Sequence, residues 1–141
     1  MRILLVEDNP GDVDLIRDTL QQVVARLLDI AVVSDGAQAV EYLFRRRSSP
    51  GDGMRLPDLV LLDLNLPKMT GHEVLSEVRA STDLRALPIV VVTSSDAMRD
   101  IVTSYSLGAN AYVTKPGDLA TFQNTMRALG HFWCTVARLP S

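Results

Sequence analysis

This sequence of 141 residues has one cysteine and few aromatic residues. It also has no long apolar run and no excess of basic residues. The single cysteine, Cys134, excludes an internal disulfide and a thiolate metal cage. No apolar run exceeds four residues, far below the ~20 that a membrane-spanning helix needs, and Glu7 and Asp8 interrupt any signal peptide. The net charge of −3 argues against direct nucleic-acid binding, which usually needs a basic excess. We therefore expect a cytoplasmic protein that contacts neither membrane nor nucleic acid.

The length and apolar content predict one domain over residues 1–141, because domains of about 150 residues are common. Hydrophobic residues make up 47% of the chain and aromatic residues only 5%, so aliphatic side chains must build the core. The end of the chain, at about residues 130–141, is predicted to be an apolar extension that contains Phe132, Trp133 and Val136.

Five short aliphatic runs recur along the chain at similar intervals. They begin at Ile3, Ile30, Leu59, Ile89 and Ala111, which lie 27, 29, 30 and 22 residues apart. Continuous apolar runs are typical of strands buried on both faces, and the spacing suits one strand plus one crossover helix. The sequence therefore predicts an α/β fold in which helices cover both faces of a parallel sheet.

Polar caps followed by apolar residues at helical spacing predict a helix after each run. The predicted starts are Asn9-Pro10, Asp35-Gly36, a capping box from Thr70 to Glu73, about Asp96, and about Asp118. On the second helix, Ala37, Val40 and Phe44 are expected to share the buried face. The fourth helix is predicted to end at Leu107, and residues 47–57 are predicted to form a surface loop.

Polar residues follow four of the five runs. In a parallel sheet these strand ends share one edge, where ligands bind. The residues are Glu7 and Asp8, Asp63, Thr93, and Lys115. Three carboxylates this close repel one another and need protons or a cation, and oxygen ligands suit Mg²⁺ better than zinc. The sequence therefore predicts a Mg²⁺ site at this edge.

A metal-bound carboxylate beside an ammonium and a hydroxyl suits phosphoryl transfer, in which positioning and charge neutralisation provide most of the catalysis. Asp63 is the candidate nucleophile, because it follows a central strand alone and an aspartate can form an acyl phosphate. Lys115 is expected to neutralise the phosphoryl oxygens, and Thr93 to donate a hydrogen bond to one of them.

These residues resemble the receiver domains of two-component response regulators. The resemblance lies in Ile3-Leu4-Leu5-Val6-Glu7-Asp8-Asn9, Asp63-Leu64-Asn65-Leu66-Pro67 with Gly71, Thr93-Ser94, and Lys115-Pro116. An acid pair, an aspartate, a hydroxyl and a lysine in this order at successive strand ends are a specific combination. The resemblance implies a flavodoxin-like (βα)5 doubly wound sheet with strand order 2-1-3-4-5.

The resemblance also implies a role for each pocket residue. Asp63 corresponds to the phosphoacceptor, which takes phosphate from a sensor histidine kinase or exchanges it with a histidine phosphotransfer protein. Mg²⁺ is implied at the side chains of Asp8 and Asp63 and at the carbonyl of Asn65, with Glu7 completing the acid pocket. Lys115 corresponds to the lysine that binds the phosphate, and the peptide bond after it is cis in many relatives.

Thr93 and Tyr112 correspond to the family's switch pair, in which the hydroxyl moves toward the phosphoryl group and the ring turns inward. The chain departs from many receivers at Gly117, where an aromatic residue is frequent, and at Glu7, where aspartate is frequent. The change at Gly117 removes bulk beside the switch.

Further similarities narrow the resemblance to small stand-alone regulators that partner bacterial phytochromes. They lie in Asn9-Pro10-Gly11-Asp12, the loop before the third strand, Asp63 to Lys68, and the ending Phe132-Trp133-Cys134 to Ser141. This subfamily implies a phytochrome-type kinase and a homodimer formed through helix 4, strand 5, helix 5 and the C-terminal tail.

The residues leave other interpretations open. A small Mg²⁺-dependent phosphatase with an aspartate nucleophile has a similar pocket, but it usually carries a second aspartate where this chain has Asn65. A flavin-binding module would place a phosphate beside Glu7 and Asp8, which would repel it. A degenerate receiver would only bind partners. Taken singly, the acid pair could serve in helix capping, Asn65 could be a turn residue and Tyr112 a core residue. We expect a phosphoacceptor signalling protein, not an enzyme that turns over external substrates.

Overall fold

The five aliphatic runs form one parallel sheet in the order β2-β1-β3-β4-β5. The structure is a computed structural model that describes residues 1–47 and 55–140. Its strands are β1 (Arg2–Val6), β2 (Asp29–Val33), β3 (Leu59–Leu62), β4 (Ile89–Thr93) and β5 (Ala111–Thr114). The predicted flavodoxin-like topology is confirmed. Residues 48–54 of the predicted surface loop lie outside the described residues.

A helix follows each strand, as predicted. The helices are α1 (Pro10–Val23), α2 (Gly36–Arg47), α3 (Gly71–Ala80), α4 (Met98–Ser106) and α5 (Leu119–His131). The capping box at the start of α3 is formed, because the Thr70 hydroxyl accepts from the backbone of Glu73 and the Glu73 carboxylate accepts from the backbone of Thr70. No helix in the described part of the chain has the length and apolar character needed to cross a bilayer.

Alternate residues of the central strands pack into two separate cores, one on each face of the sheet. Leu4 of β1 and Leu62 of β3 face the core beneath α2 and α3, whereas Leu5 and Leu61 face the core beneath α1 and α5. All residues of β3 and β4 are buried, but β2 and β5 are edge strands and are only partly covered. Burial on both faces therefore holds for the central strands alone.

The buried face of α2 differs from the prediction. Ala39 and Leu43 are fully buried, Val40 and Phe44 are partly buried, and Ala37 is exposed. The apolar residues of this helix form two adjacent stripes, and its packing on the sheet and on α3 selects the stripe centred on Ala39 and Leu43.

The chain continues from α5 through a π-helical turn, Phe132–Val136. Cys134 is buried in the core beneath α1 and α5, and Trp133 and Leu139 pack against the same core. Phe132 and Val136 are 49% and 56% exposed. The tail thus closes one core and also presents apolar side chains to solvent.

Candidate functional site

The carboxyl ends of the strands bring the predicted polar residues together at one edge of the sheet. Glu7 follows β1 and is 2% exposed, and Asp63 follows β3 and is 6% exposed. The ladder of the sheet continues one residue beyond the strands, because the Asp63 N–H donates to the Val6 carbonyl and the Lys115 N–H donates to the Thr93 carbonyl. The backbone therefore fixes where Asp63 and Lys115 enter the pocket.

The ammonium group of Lys115 lies at the centre of the pocket and donates to three carboxylates. The distances from Nζ are 2.6 Å to Glu7 Oε2, 2.9 Å to Asp12 Oδ2 and 3.1 Å to Asp63 Oδ2. Burial by itself lowers the pKa of Lys115, but the hydrogen bonds to Glu7 and Asp12 outweigh it and raise that pKa. Lys115 is therefore a fixed positive charge beside Asp63.

The ionised form of Glu7 is destabilised in the same pocket. Burial raises the pKa of Glu7 to about 7, and the nearby charge of Asp63 also raises it, although the hydrogen bond from Lys115 acts in the opposite direction. The Asn9 N–H donates to Glu7 Oε1 at 3.1 Å and holds the carboxylate in place. One ammonium does not balance these acids, so the pocket favours a further positive charge.

Three carboxylates at this edge form a group that suits a hard cation. Oxygen atoms of Glu7, Asp8 and Asp63 all lie within 4.8 Å of one another. Asp8 is exposed, which gives the group a side open to solvent. A set of carboxylate oxygens with room for water is the donor set that Mg²⁺ prefers. The residues present therefore fit the predicted metal, and these three side chains would hold it.

Asn65 lies beside this group and is exposed. Its N–H faces Asp63 Oδ1 at 3.3 Å, so the turn after β3 folds back on the aspartate. The predicted role of the Asn65 carbonyl as a metal ligand stays a prediction.

Thr93 ends β4, the strand between those that lead into Asp63 and Lys115. The residue is completely buried, and its Oγ1 has no hydrogen-bond partner within the described part of the chain. A buried hydroxyl without a partner costs about 1–3 kcal/mol and is rare in native proteins. Its retention is typical of a polar atom that serves a ligand.

Tyr112 connects strand β5 to the segment before α4. Its hydroxyl donates to the Ser95 carbonyl at 2.8 Å, and its N–H donates to the Tyr105 hydroxyl at 3.1 Å. Burial raises the pKa of Tyr112, so the phenol stays protonated and can donate. The Ser95 hydroxyl in turn donates to the Asp100 carboxylate on α4. Tyr112 is thus a hydrogen-bonded residue at the edge of the core, and its predicted switching role stays a prediction.

Two polar contacts between different elements were not predicted. Asp12 binds Lys115, and the available signal was its place in the first turn of α1, four residues after Asp8. His72 Nε2 lies 2.9 Å from Ser104 Oγ and links α3 to α4. The spacing of apolar residues along the sequence does not indicate which side chains of two helices contact each other. The Lys115–Pro116 peptide bond is trans.

The fold and the pocket together define a class: flavodoxin-like α/β proteins with an acidic, lysine-containing pocket at the carboxyl edge of the sheet. A family model described as the response regulator receiver domain matches residues 3–127. The chain therefore belongs to the response regulator receiver family.

Relatives agree with this assignment over almost the whole chain. Response regulator Rcp1 of Synechocystis sp. is 34% identical over 139 residues, which are 99% of this chain and 92% of Rcp1. The crystal structure of the phosphorylated cyanobacterial phytochrome response regulator RcpA superposes with a TM-score of 0.90 at 38% identity and covers 99% of this chain and 98% of RcpA. The Mn²⁺-bound form of Rcp1 gives a TM-score of 0.89 at 34% identity, with 99% of each chain covered.

The chain is thus a receiver-domain response regulator related to the phytochrome response regulators, and the phosphatase alternative is not favoured. The manganese in the Rcp1 structure shows that a homologue binds a divalent cation. The acidic group of Glu7, Asp8 and Asp63 is a suitable place for one in this chain.

Proposed function

We propose that residues 1–141 act as one receiver domain that accepts a phosphoryl group on Asp63 from a histidine kinase. The observation that carries this proposal is the position of Asp63, buried at the end of β3 with its Oδ2 3.1 Å from Lys115 Nζ. The ammonium of Lys115 pairs with this carboxylate, and the neighbouring strand β4 ends in Thr93, whose buried hydroxyl has no hydrogen-bond partner among the described residues. RcpA, which resembles the chain over nearly its full length, has been crystallised in a phosphorylated form.

The reaction is an in-line displacement at phosphorus. A carboxylate oxygen of Asp63 forms the new O–P bond while the P–N bond of the donor's phosphohistidine breaks, and the electron pair stays on the departing imidazole nitrogen. Lys115 neutralises the negative charge of the transferred group, and the Thr93 hydroxyl donates to one of its oxygens.

Glu7, Asp8 and Asp63 would hold Mg²⁺, which supplies charge neutralisation for the phosphoryl oxygens when it is bound. Asn65 would add its carbonyl as a further oxygen ligand. The same carboxylates repel an incoming phosphate in the absence of a cation, so acceptance of the phosphoryl group depends on the metal.

The output is a change in protein contacts. Thr93 and Tyr112 would act as a switch pair whose two arrangements interact differently with the phosphoryl group, which shifts the population toward one of them. The surface next to this pair is apolar: Met98 and Val102 of α4 are 70% and 55% exposed, and Leu119 of α5 is 64% exposed. These side chains support a homodimer through α4, β5, α5 and the C-terminal tail.

The upstream partner is a sensor histidine kinase of the phytochrome type, with a histidine phosphotransfer protein as the alternative. The support is the similarity to RcpA and to the bacteriophytochrome response regulator RtBRR, which is 43% identical with a TM-score of 0.72 and covers 99% of this chain and 83% of RtBRR. We place this exchange in the cytoplasm, in agreement with the composition of the chain.

Phosphorylation of Asp63 is tested with a small phosphodonor and Mg²⁺ on phosphate-affinity gels. We expect a retarded band for the wild type and for Asp18→Asn, which removes an exposed aspartate on α1. Asp63→Asn should show no retarded band. A retarded band of wild-type intensity in Asp63→Asn would refute the assignment of the phosphoacceptor.

Dimerisation is tested by light scattering with Mg²⁺ alone and with Mg²⁺ plus beryllofluoride, which stands in for the phosphoryl group. We expect a higher mass with beryllofluoride, and we expect Val102→Asp to prevent the increase without unfolding the chain. If beryllofluoride binds and the mass stays that of a monomer, the dimer is refuted as the output.

A further inference from the structure

All three N–H donors of the Lys115 ammonium are already in use. They bind one carboxylate each, from Glu7, Asp12 and Asp63. An ammonium has no fourth donor. A phosphoryl group on Asp63 that is to bind Lys115 must therefore displace one of these partners.

The three partners differ in how easily they are released. The Glu7 side chain is 2% exposed and the Asp63 side chain 7%, whereas the Asp12 side chain is 27% exposed. Release of Glu7 would leave its buried carboxylate with only the Asn9 N–H, among the described residues, as a hydrogen-bond donor, which is costly, but Asp12 can be hydrated after release. Asp12 and Lys115 also line a groove of about 360 Å³, so there is space for this exchange.

Asp12 is held in this position by the start of α1. Its N–H donates to the capping oxygen Asn9 Oδ1 at 3.1 Å, which fixes the first turn with the Asp12 side chain directed at Lys115. The neighbouring acid Asp14 instead lies on the exposed side and pairs with Arg17 at 3.1 Å. Asp12 is also outside the group of carboxylates that suits a metal.

We propose that Asp12 is a positioning residue that occupies the third donor of Lys115 until a phosphoryl group on Asp63 replaces it. The inference rests on the proposed function of Asp63. Asp12 opposes acceptance of the phosphoryl group in two ways: it competes for the donor, and its charge repels the phosphoryl oxygens. Phosphorylation therefore frees the first turn of α1 from Lys115.

The test is a titration of the wild type and of Asp12→Asn with beryllofluoride at saturating Mg²⁺. Binding is monitored through the NMR chemical shifts of the backbone amides. Asparagine keeps the size of the side chain and removes its charge. We expect the half-saturating concentration to fall about two- to fivefold, the range typical of partly exposed ion pairs. The difference should shrink at high ionic strength, which a purely structural effect would not do.

Asp14→Asn is the matched control, since it removes one charge from the same helix away from Lys115, and its half-saturating concentration should equal that of the wild type. Asp12→Ala serves as a second variant if thermal unfolding shows that Asp12→Asn does not fold. A half-saturating concentration equal to or above the wild-type value in the folded variant overturns the inference.

A different result is expected if Asp63 is not the phosphoacceptor. In that case the wild type would not bind beryllofluoride, or Asp63→Asn would bind it as well as the wild type does. Binding that depends on Asp63 but is unaffected by Asp12→Asn refutes the role of Asp12 alone.

Discussion

The hydroxyl of Tyr112 donates a 2.8 Å hydrogen bond to the backbone carbonyl of Ser95. This bond joins strand β5 to the segment that follows β4 and leads into α4. Thr93, at the end of β4, lies two residues before Ser95, so a shift of this segment toward the phosphoryl group would alter the Tyr112 contact. The hydrogen bond therefore connects β5 to the segment that lies between Thr93 and α4.

Tyr112→Phe removes this hydrogen bond and keeps the ring. We expect phosphorylation of Asp63 to proceed, because the hydroxyl does not contact the pocket carboxylates, and the free energy of unfolding to fall by about 1 kcal/mol. Amide hydrogen exchange should quicken at residues 94–97 before phosphorylation, and its change across α4 on phosphorylation should be smaller than in the wild type. An undiminished change would contradict the coupling role of Tyr112.

Thr93→Val should increase the stability of the protein and weaken its binding of beryllofluoride. Valine replaces the buried hydroxyl, which has no hydrogen-bond partner within the described ranges, with a methyl group of similar shape, so we expect the free energy of unfolding without ligand to rise by about 1 kcal/mol. Binding of beryllofluoride should weaken, because a donor to the phosphoryl oxygens is lost. Thr114→Val, at the position paired with Thr93 on β5, is the control and should leave binding unchanged. Urea unfolding and beryllofluoride titration provide the two measurements, and tighter binding in Thr93→Val would disprove the ligand role.

Gly71→Ala should disturb the phosphoacceptor directly. A Cβ at this position would lie 2.4 Å from the carbonyl oxygen of Asp63 and 2.7 Å from Leu64 Cα, so backbone would have to move. We expect the free energy of unfolding to fall by about 1–3 kcal/mol and phosphorylation of Asp63 to slow. Gly117→Ala is the matched control, since no atom of residues 1–47 and 55–140 beyond its chain neighbours lies within 4 Å of a Cβ there. Equal stability of the two variants in urea would show that the close approach of α3 to Asp63 is unimportant.

Arg79→Lys should loosen the connection between α3 and the turn before β5. The guanidinium group donates twice to the Gly108 carbonyl, at 3.0 and 2.9 Å, and also to the Leu84 carbonyl and the Asn110 side chain. Lysine cannot reproduce this planar set of donors, so we expect a loss of about 2 kcal/mol in the free energy of unfolding. Arg127→Lys, on the exposed face of α5, should be neutral in the same measurement. A neutral Arg79→Lys would mean that water replaces these bonds at no cost.

Much of the fold could be predicted from the sequence because the strands of a parallel sheet are buried on both faces. That burial requires uninterrupted apolar runs such as Leu59–Leu62, and each run is followed by a crossover helix whose start is marked by a cap such as Asn9 or Thr70. The sequence predicted less well which face of a helix is buried and where a helix begins. The phase of α2 differed by one residue, and α4 begins at Met98 and not at Asp96.

The polar residues that follow the strands could be identified from the amino-acid order, and with them the residues that lie at the pocket edge: Glu7, Asp8, Asp63, Thr93 and Lys115. The reason is that all parallel strands end at the same edge. Two contacts became visible only in the folded chain: Asp12 accepts from Lys115, 103 residues away, and the Tyr112 hydroxyl donates to the Ser95 carbonyl. Such contacts depend on how helices and loops settle against the sheet, which no local periodicity specifies.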